Sequence, residues 1–321
     1  MTSCPTFADV QQAAERIKPY AHRTPVFTCN SLNEMLSATL FFKCENFQKA
    51  GAFKFRGACN AVFSLSDEEA RRGVATHSSG NHGAALALAA RLRDIPAHIV
   101  MPTNAPAIKQ AAVAGYGGSI VFCEPTQAAR ESTLTDVAQE TGANFIPPYN
   151  DTRVIAGQGT AALELCEDIA RLDVVMAPVG GGGLISGTAL TVAALSPTTR
   201  VIAAEPAGAD DAYRSLHSGQ IQPSLNPQTI ADGLRTSLGD LTFAIIRRHV
   251  EQIVTVSEAA IIEAMRHVWE RMKIVIEPSA AVPVAALLEK HIDLSGLRVG
   301  VILSGGNADL DHLPWQSASS V

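Results

Sequence analysis

The sequence lacks the long apolar segment that a membrane-spanning helix requires. Its uncharged apolar stretches, such as Gly83–Ala90, fall well short of the roughly 18 residues needed to cross a bilayer. The first residues, Met1–Val10, also lack the basic start and apolar stretch of a secretory signal. We therefore expect a cytoplasmic protein that has no membrane partner.

Basic clusters and paired cysteines are missing as well. The formal net charge is −6 and no block of Lys and Arg occurs, so we expect no nucleic-acid partner. The cysteines show neither disulfide nor metal-ligand spacing, which favours reduced thiols. They are Cys4, Cys29, Cys44, Cys59, Cys123 and Cys166.

The apolar content allows a large core, because 47% of the 321 residues are hydrophobic. Strand-like runs alternate with helical patterns, which predicts an α/β chain with parallel sheets and helices on both faces. We predict a large domain from residues 1–72 and 150–321, a small domain from residues 73–149, and a cleft between them. The predicted strands are Ala97–Met101, Gly118–Phe122, Asn144–Ile146, Val174–Val179, Arg200–Ala204 and Arg298–Leu303. The predicted helices are Ala84–Arg93, Pro106–Ala114, Gln127–Glu140, Gly159–Ala170, Leu184–Leu195, Glu258–Arg271 and Ala280–Lys290.

Lys54 stands between two phenylalanines, Phe53 and Phe55, at the predicted start of a helix. Aromatic neighbours remove water from the amine, which disfavours its charged form and lowers its pKa. Schiff-base chemistry needs a neutral amine, and Phe53 could cover one face of a flat cofactor ring. The alternative is a lysine that extends from an apolar segment into solvent.

The segment Ser78-Ser79-Gly80-Asn81-His82 opens directly into a predicted helix. Its N–H groups and hydroxyls could bind a substrate carboxylate at the helix N-terminus, and the Asn81 amide could donate to a phenolate oxygen. A plain helix cap explains the same residues equally well.

Four consecutive glycines, Gly180–Gly183, and then Leu184 lead from a predicted strand into a helix. Such a loop can wrap a phosphate with its N–H groups. One alternative is a dinucleotide site, since Glu205 lies near the expected distance for its acidic residue. Another is a simple loop. The unbroken glycine run past mid-chain favours phosphate binding.

Ser304 follows the last predicted strand, where α/β sheets place ligands. Its hydroxyl could hydrogen-bond a pyridine nitrogen without protonating it, although a tight turn is the simpler interpretation. Glu205 and Asp211, with the carbonyl of Ala209, would suit a hard divalent cation such as Mg²⁺.

The order of these motifs resembles the serine racemase and serine/threonine dehydratase family. Those pyridoxal-phosphate enzymes have the tryptophan-synthase-like fold, fold type II. The resemblance runs from about Phe7 to Asp311 and includes Lys43–Asn46, Ala156–Thr160, Ala231–Gly233 and Glu277–Ser279. It implies two parallel-sheet three-layer domains with pyridoxal 5′-phosphate in the cleft between them.

The resemblance also implies a role for each site residue. Lys54 would carry the cofactor and act in catalysis with Ser79, which would face the substrate from the opposite side. The cofactor would contact Phe53, Lys54, Asn81, Gly180, Gly181, Gly182, Gly183, Leu184 and Ser304. The substrate would contact Ser78, Ser79, Gly80, Asn81 and His82. The metal, Mg²⁺ or else Mn²⁺ or Ca²⁺, would be held by Glu205, Ala209 and Asp211.

The implied reaction is β-elimination of water from L-serine or L-threonine, which gives a 2-keto acid and ammonia. Lys54 would remove the α-proton, and Ser304 would keep the ring a weak electron sink. Family analogy implies a homodimer.

The alternative activities are serine racemisation through Lys54 and Ser79, dehydration of 3-hydroxyaspartate, and non-catalytic amino-acid sensing. Racemisation depends on an activated Ser79 hydroxyl, which the sequence cannot show. Ala84, Tyr149 and Leu234 depart from related sequences near the expected pocket, so the sequence does not identify the preferred substrate. Arg130 and His82 are candidate contacts for an acidic substrate, with surface and capping roles as alternatives.

Overall fold

The computed structural model describes residues 4–290 and 292–316. Strands and helices alternate along this part of the chain. The strands are β1 (Val26–Phe27), β2 (Thr39–Cys44), β3 (Val74–His77), β4 (Ala97–Pro102), β5 (Ser119–Cys123), β6 (Asn144–Phe145), β7 (Val174–Pro178), β8 (Arg200–Pro206), β9 (Gln252–Val256) and β10 (Arg298–Leu303). The helices are α1 (Phe7–Ile17), α2 (Asn30–Leu36), α3 (Lys54–Phe63), α4 (Asp67–Arg71), α5 (Asn81–Arg93), α6 (Ala107–Gly115), α7 (Gln127–Thr141), α8 (Thr152–Asp168), α9 (Gly183–Leu195), α10 (Asp211–Ser218), α11 (Asp240–His249), α12 (Glu258–Met272) and α13 (Pro278–Leu288).

The strands form two sheets. The larger has the order β1-β2-β10-β7-β8-β9 and is parallel except for the pairing of β1 with β2. The smaller has the order β5-β4-β3-β6 and is parallel throughout. The predicted α/β fold with two parallel sheets is therefore confirmed.

Alternating side chains explain why helices cover both faces of the larger sheet. In β7, Val174 and Met176 belong to a core packed against α12 and α13. Val175 and Ala177 point the other way, into a core shared with α8, α9 and α11. A strand buried on both faces needs this continuous apolar sequence.

The predicted large and small domains share part of their hydrophobic core. Phe55 and Val62 of α3 pack in one cluster with Leu86 of α5 and Ile99 of β4. All strands of the smaller sheet lie between Val74 and Phe145. The domain boundaries near residues 72 and 150 stay a prediction.

Several helix starts differ from the sequence-based expectation. The helix predicted to begin at Gly159 begins at Thr152 instead, because the Asp151 carboxylate accepts the N–H groups of Arg153 and Val154 and caps it. The helix predicted from Ala84 begins at Asn81.

Three buried charged residues and one partly buried carboxylate meet beside the first turns of α3. We call Lys43, Glu45, Arg56 and Glu164 the α3 charge cluster. The Arg56 guanidinium donates to Glu45 at 2.7 and 2.8 Å and to Glu164 at 2.8 Å. Lys43 Nζ donates to Glu164 at 2.6 Å and to the Thr24 carbonyl at 2.7 Å. Two cations and two carboxylates thus join β2, α3 and α8 and hold the helix that begins at Lys54.

None of the helices in the described part of the chain combines the length and apolar character needed to cross a bilayer. The cysteines are all free thiols.

Candidate active site

Three predicted site segments meet at one edge of the larger sheet. Ser304 directly follows β10, Gly180–Gly183 follow β7, and Glu205 lies near the end of β8. These strands are parallel neighbours in the sheet, so their carboxyl ends lie side by side. The sequence placed all three segments at strand ends, and the topology makes those ends adjacent.

Lys54 reaches this edge from the start of α3. The Phe53 N–H donates to the Ser304 carbonyl at 2.9 Å, which fixes the entry to the helix beside β10. Lys54 Nζ donates to the Pro148 carbonyl at 2.7 Å and lies 5.2 Å from the centre of the Phe53 ring. Burial lowers the pKa of Lys54 to about 8, although the Glu277 carboxylate opposes this effect. The amine can therefore lose its proton near neutral pH, as the sequence predicted.

The glycine loop packs against Tyr149. Gly182 has φ +88°, a conformation that favours glycine. A Cβ atom at Gly181 would overlap the Tyr149 ring, and one at Gly183 would lie 3.0 Å from Tyr149 Cβ. Among the described residues, no hydrogen bond uses the N–H groups of Gly180, Gly181 or Gly182. These donors and the N-terminus of α9 are left for an anion.

The Ser78–His82 loop joins the end of β3 to α5. Ser78 Oγ accepts the N–H groups of Gly80 at 3.3 Å and Gly83 at 3.2 Å, which is the capping role that the sequence allowed. Among the hydrogen bonds of the described residues, none involves the Ser79 hydroxyl. The two serines are therefore not equivalent, because Ser78 holds the loop and Ser79 is available to a ligand.

His82 is buried and neutral. Its Nε2 lies 3.0 Å from the Ile146 carbonyl, which can only accept, so this nitrogen carries the proton. Burial, with Lys54 nearby, lowers the pKa of His82 to about 3. Nδ1 is buried without a partner among the described residues. The ring thus offers no free donor to a carboxylate, and the backbone N–H is what His82 can contribute.

Two residues at the site escaped the sequence analysis as individual contacts. Glu277, just before α13, accepts from Asn81 Nδ2 at 3.0 Å through both carboxylate oxygens. Asn307 Nδ2 donates to Asn81 Oδ1 at 2.9 Å. Burial raises the pKa of Glu277 to about 7. Because these partners lie some 200 positions from Asn81, no local pattern could have revealed them.

Comparisons with known proteins agree with this geometry. The model of the family described as "Pyridoxal-phosphate dependent enzyme" matches residues 17–305. This chain belongs to that family. The β-hydroxyaspartate dehydratase of Paracoccus denitrificans is 56% identical over 311 residues, which cover 97% of this chain and 99% of the relative. The L-threo-3-hydroxyaspartate ammonia-lyase of Saccharomyces cerevisiae is 50% identical and covers 95% of this chain and 94% of its own. The solved structure of serine racemase from Dictyostelium discoideum superposes with a TM-score of 0.93 at 49% identity, and covers 96% of this chain and 100% of that chain.

The predicted membership of the serine racemase and dehydratase group, and with it the pyridoxal-phosphate cofactor, is confirmed. The residues at the sheet edge fit pyridoxal phosphate. Lys54 supplies an amine of lowered pKa, the glycine loop supplies unpaired N–H groups, and Ser304 supplies a nearly buried hydroxyl at the end of β10. The contact assigned to each residue remains a prediction.

The predicted metal ligands Glu205 and Asp211 lie near the end of β8 and at the start of α10. Glu205 is fully buried, and its oxygens accept the N–H groups of Ala212 at 3.0 Å and Tyr213 at 2.8 Å. Neither Asp211 oxygen has a hydrogen-bond partner among the described residues. Burial raises the pKa of Glu205 to about 9 and that of Asp211 to about 6.

Two buried carboxylates with raised pKa values fit a hard divalent ion, and Ala209 lies in the 3₁₀ turn between them. The described residues contain no group of three or more His, Cys, Asp or Glu side chains that could hold a metal. Carbonyl oxygens and water would therefore have to complete the coordination shell.

Proposed function

We propose that this pyridoxal-phosphate-dependent enzyme is a dehydratase, or ammonia-lyase, that removes water from small β-hydroxy amino acids such as L-serine and L-threonine. The products are a 2-keto acid and ammonia. The observation that carries the proposal is the Lys54 amine, which is held at 2.7 Å from the Pro148 carbonyl with its pKa lowered to about 8. An amine in this state can act as a base near neutral pH.

The bound cofactor would supply an electron sink that makes the α-proton acidic. Lys54 would take that proton. Ser304 would present a neutral hydroxyl to the cofactor's ring nitrogen, and a hydroxyl does not force the nitrogen to stay protonated. A weaker electron sink favours rapid loss of the β-hydroxyl over transamination.

The N-terminus of α5 would bind the substrate carboxylate. The N–H groups of the first turn of a helix have no partner within that helix and attract anions. The free Ser79 hydroxyl adds a further donor. The neutral ring of His82 would add no positive charge to this carboxylate site.

Racemisation is the alternative reaction at the same site. It requires Ser79 to act as an acid and base on the face opposite Lys54. A serine hydroxyl needs an activating partner for this role, and none of the hydrogen bonds in the described part of the chain gives Ser79 one. We therefore propose elimination as the main activity and racemisation as the side reaction.

A second candidate substrate is 3-hydroxyaspartate, which two of the relatives use according to their names. Arg130, in the first turn of α7, has a buried Nε with no partner in the described residues. Its positive charge acts on His77, the residue before the Ser78–His82 loop, and adds to the burial that lowers the pKa of that histidine. An unpaired guanidinium nitrogen near this loop would suit a second carboxylate.

The remaining proposals are a Mg²⁺ ion at Glu205, Ala209 and Asp211, a homodimer, and a cytoplasmic location. The charge argument at the carboxylates supports the ion. Family analogy supports the dimer, and the free cysteine thiols support a reducing location.

A panel of L- and D-serine, L- and D-threonine and 3-hydroxyaspartate tests the reaction, with keto-acid and enantiomer assays on each. Keto acid in large excess over inverted amino acid supports the dehydratase. Inverted serine without keto acid would make the enzyme a racemase.

Arg130→Ala tests the second candidate substrate. Loss of a hydrogen bond to a charged group should raise KM for 3-hydroxyaspartate by about 10- to 100-fold, and KM for serine by about twofold at most. Arg91→Ala, at another arginine of the same half of the chain, should change neither. Equal effects of Arg130→Ala on both substrates would contradict a contact between Arg130 and the second carboxylate.

A further inference from the structure

Asn81, Glu277 and Asn307 form one hydrogen-bonded group between the two sheets. Asn81 begins α5, Glu277 precedes α13, and Asn307 follows β10. Besides the contacts to Asn81, the Asn307 backbone N–H donates to Glu277 Oε2 at 3.2 Å. Asn307 Nδ2 also donates to the Ala50 carbonyl at 2.8 Å. The group therefore links the segment that leads to Lys54 with the loop that follows Ser304.

This group determines which way the Asn81 amide faces. A backbone carbonyl only accepts, so the Asn307 amide must turn its nitrogen to Ala50. The same nitrogen meets Asn81 Oδ1, which leaves Asn81 Nδ2 facing Glu277. The reverse amide would place nitrogen against nitrogen at Asn307 and oxygen against a carboxylate at Glu277. Both contacts would be repulsive, so the network admits one orientation.

One N–H of Asn81 remains free in that orientation. Both Glu277 oxygens lie 3.0 Å from Asn81 Nδ2. The two N–H bonds of an amide diverge far more than the directions to two oxygens of one carboxylate, so a single N–H points between those oxygens. The second N–H has no partner among the described residues and is available to an acceptor in the cleft.

We infer that Glu277 and Asn307 are positioning residues that hold Asn81 with one N–H directed at an acceptor oxygen on the cofactor ring. This inference rests on the cofactor site used in the proposed function. Glu277 also stays near Lys54, where its carboxylate acts on the amine's pKa. It is 5% exposed, and a Cβ atom at Gly305 would lie 2.8 Å from its Oε1, so the carboxylate has little room to move.

A double-mutant cycle on cofactor affinity tests the inference. Apoprotein of the wild type, Glu277→Gln, Asn81→Ala and the double variant is titrated with pyridoxal phosphate at about pH 9.5. The Lys54 amine, whose pKa is about 8, is then neutral in every variant, so the effect of Glu277 on that pKa does not enter. Glutamine would bring an NH₂ group against either Asn81 or Asn307, so Glu277→Gln should raise Kd about tenfold, as should Asn81→Ala. The double variant should resemble Asn81→Ala to within about twofold, because Glu277 would act through Asn81. Independent, multiplying effects would overturn the inference.

Two further variants separate positioning from folding. Asn307→Asp removes the donor to Asn81 Oδ1 and should weaken cofactor binding and shift the visible absorption of the bound cofactor, as Glu277→Gln should. Glu258→Gln is the matched control, because Glu258 also accepts a backbone N–H, that of Ile230 at 2.8 Å, at the start of a helix. It should leave affinity and spectrum unchanged, and the apoprotein of each variant should melt near the wild-type temperature.

Wild-type affinity and spectrum in Asn307→Asp would refute the positioning role. Because these readouts need no turnover, they stay separate from the proposed reaction. A wild type that binds the cofactor in this way but releases no keto acid would refute the dehydratase and leave the inference standing.

Discussion

Lys54 and Arg56 lie two residues apart in α3, yet the protein surrounds them in opposite ways. Arg56 belongs to the α3 charge cluster, in which each charge meets an opposite charge within 2.8 Å. Lys54 has a backbone carbonyl as its hydrogen-bond partner, and burial brings its pKa down to about 8. Glu205, Asp211 and Glu277 resemble Lys54, since burial raises their pKa values to about 9, 6 and 7.

We expect this difference to separate groups that maintain the fold from groups that bind or position ligands. Breaking a buried ion pair leaves a bare charge and destabilises the fold. A buried group without an opposite charge already bears that cost, which a cofactor, substrate or metal can relieve on binding. The two kinds of site should therefore respond to different measurements, activity at one and stability at the other.

The largest effect is expected when the amine of Lys54 is removed. Lys54→Ala should lower keto-acid formation by about 10⁴-fold or more, because both the general base and the covalent anchor are lost. Borohydride treatment and peptide mass analysis should find the cofactor on Lys54 in the wild type and nowhere in the variant. Lys49→Ala, at a nearby lysine, should keep both label and activity, and label on another lysine of the wild type would contradict the assignment.

Breaking the α3 charge cluster should act on stability instead. Arg56→Ala leaves Glu45 and Glu164 without their main partner and should lower the free energy of unfolding by about 3–5 kcal/mol. Urea denaturation measures this loss. The control is Arg200→Ala at the more exposed pair with Glu251, where about 1 kcal/mol or less is expected. Equal losses at the two sites would remove the distinction between buried and surface pairs.

A divalent cation should stabilise the unpaired carboxylates. At a Mg²⁺ concentration of about 100 times Kd, binding adds about 2.7 kcal/mol, which should raise the melting temperature by roughly 5 °C. Asp211→Asn should abolish this gain. Asp210→Asn should keep it, because Asp210 is already paired with Arg214 at 2.8 Å. Melting that does not respond to Mg²⁺ in the wild type would argue against the metal site.

The smallest expected effect is the change of the cofactor attachment rate with pH. Only a neutral amine attacks the aldehyde, and the pKa of Lys54 lies at about 8 instead of 10.5. The attachment rate should rise about tenfold per pH unit below pH 8 and level off above it. Rapid-mixing absorbance on apoprotein measures this rate. Glu277→Gln should move the plateau to lower pH, because the carboxylate raises the pKa of Lys54; a rate that still climbs at pH 10 would show an ordinary lysine.

Local sequence patterns predicted the parts of the site that lie at the ends of regular elements. Gly180–Gly183 and Ser304 each follow an apolar strand, and Lys54 begins a helix, so their positions could be inferred from strand and helix signals. The alternation of elements likewise predicted two parallel sheets. Four strands of the structure were not predicted from the sequence, namely β1, β2, β3 and β9. Three of them are short, since β1, β3 and β9 have two, four and five residues.

Contacts between distant segments could not be predicted in this way. The pairings of Asn81 with Glu277 and Asn307 span 196 and 226 positions. They depend on how two sheets pack, which no window of sequence contains. The early start of α8 is different, because Asp151 is a recognisable cap that the apolar pattern of the helix interior outweighed.

The contact between Tyr149 and the glycine loop limits which substitutions the loop can accept. Any side chain at position 181 would collide with the tyrosine ring, so the two positions are not independent. A mutant library that varies either position by itself will sample mostly clashes or voids. Substitutions at 181 should be tolerated only together with a smaller residue at 149, so the two positions are best varied as a pair.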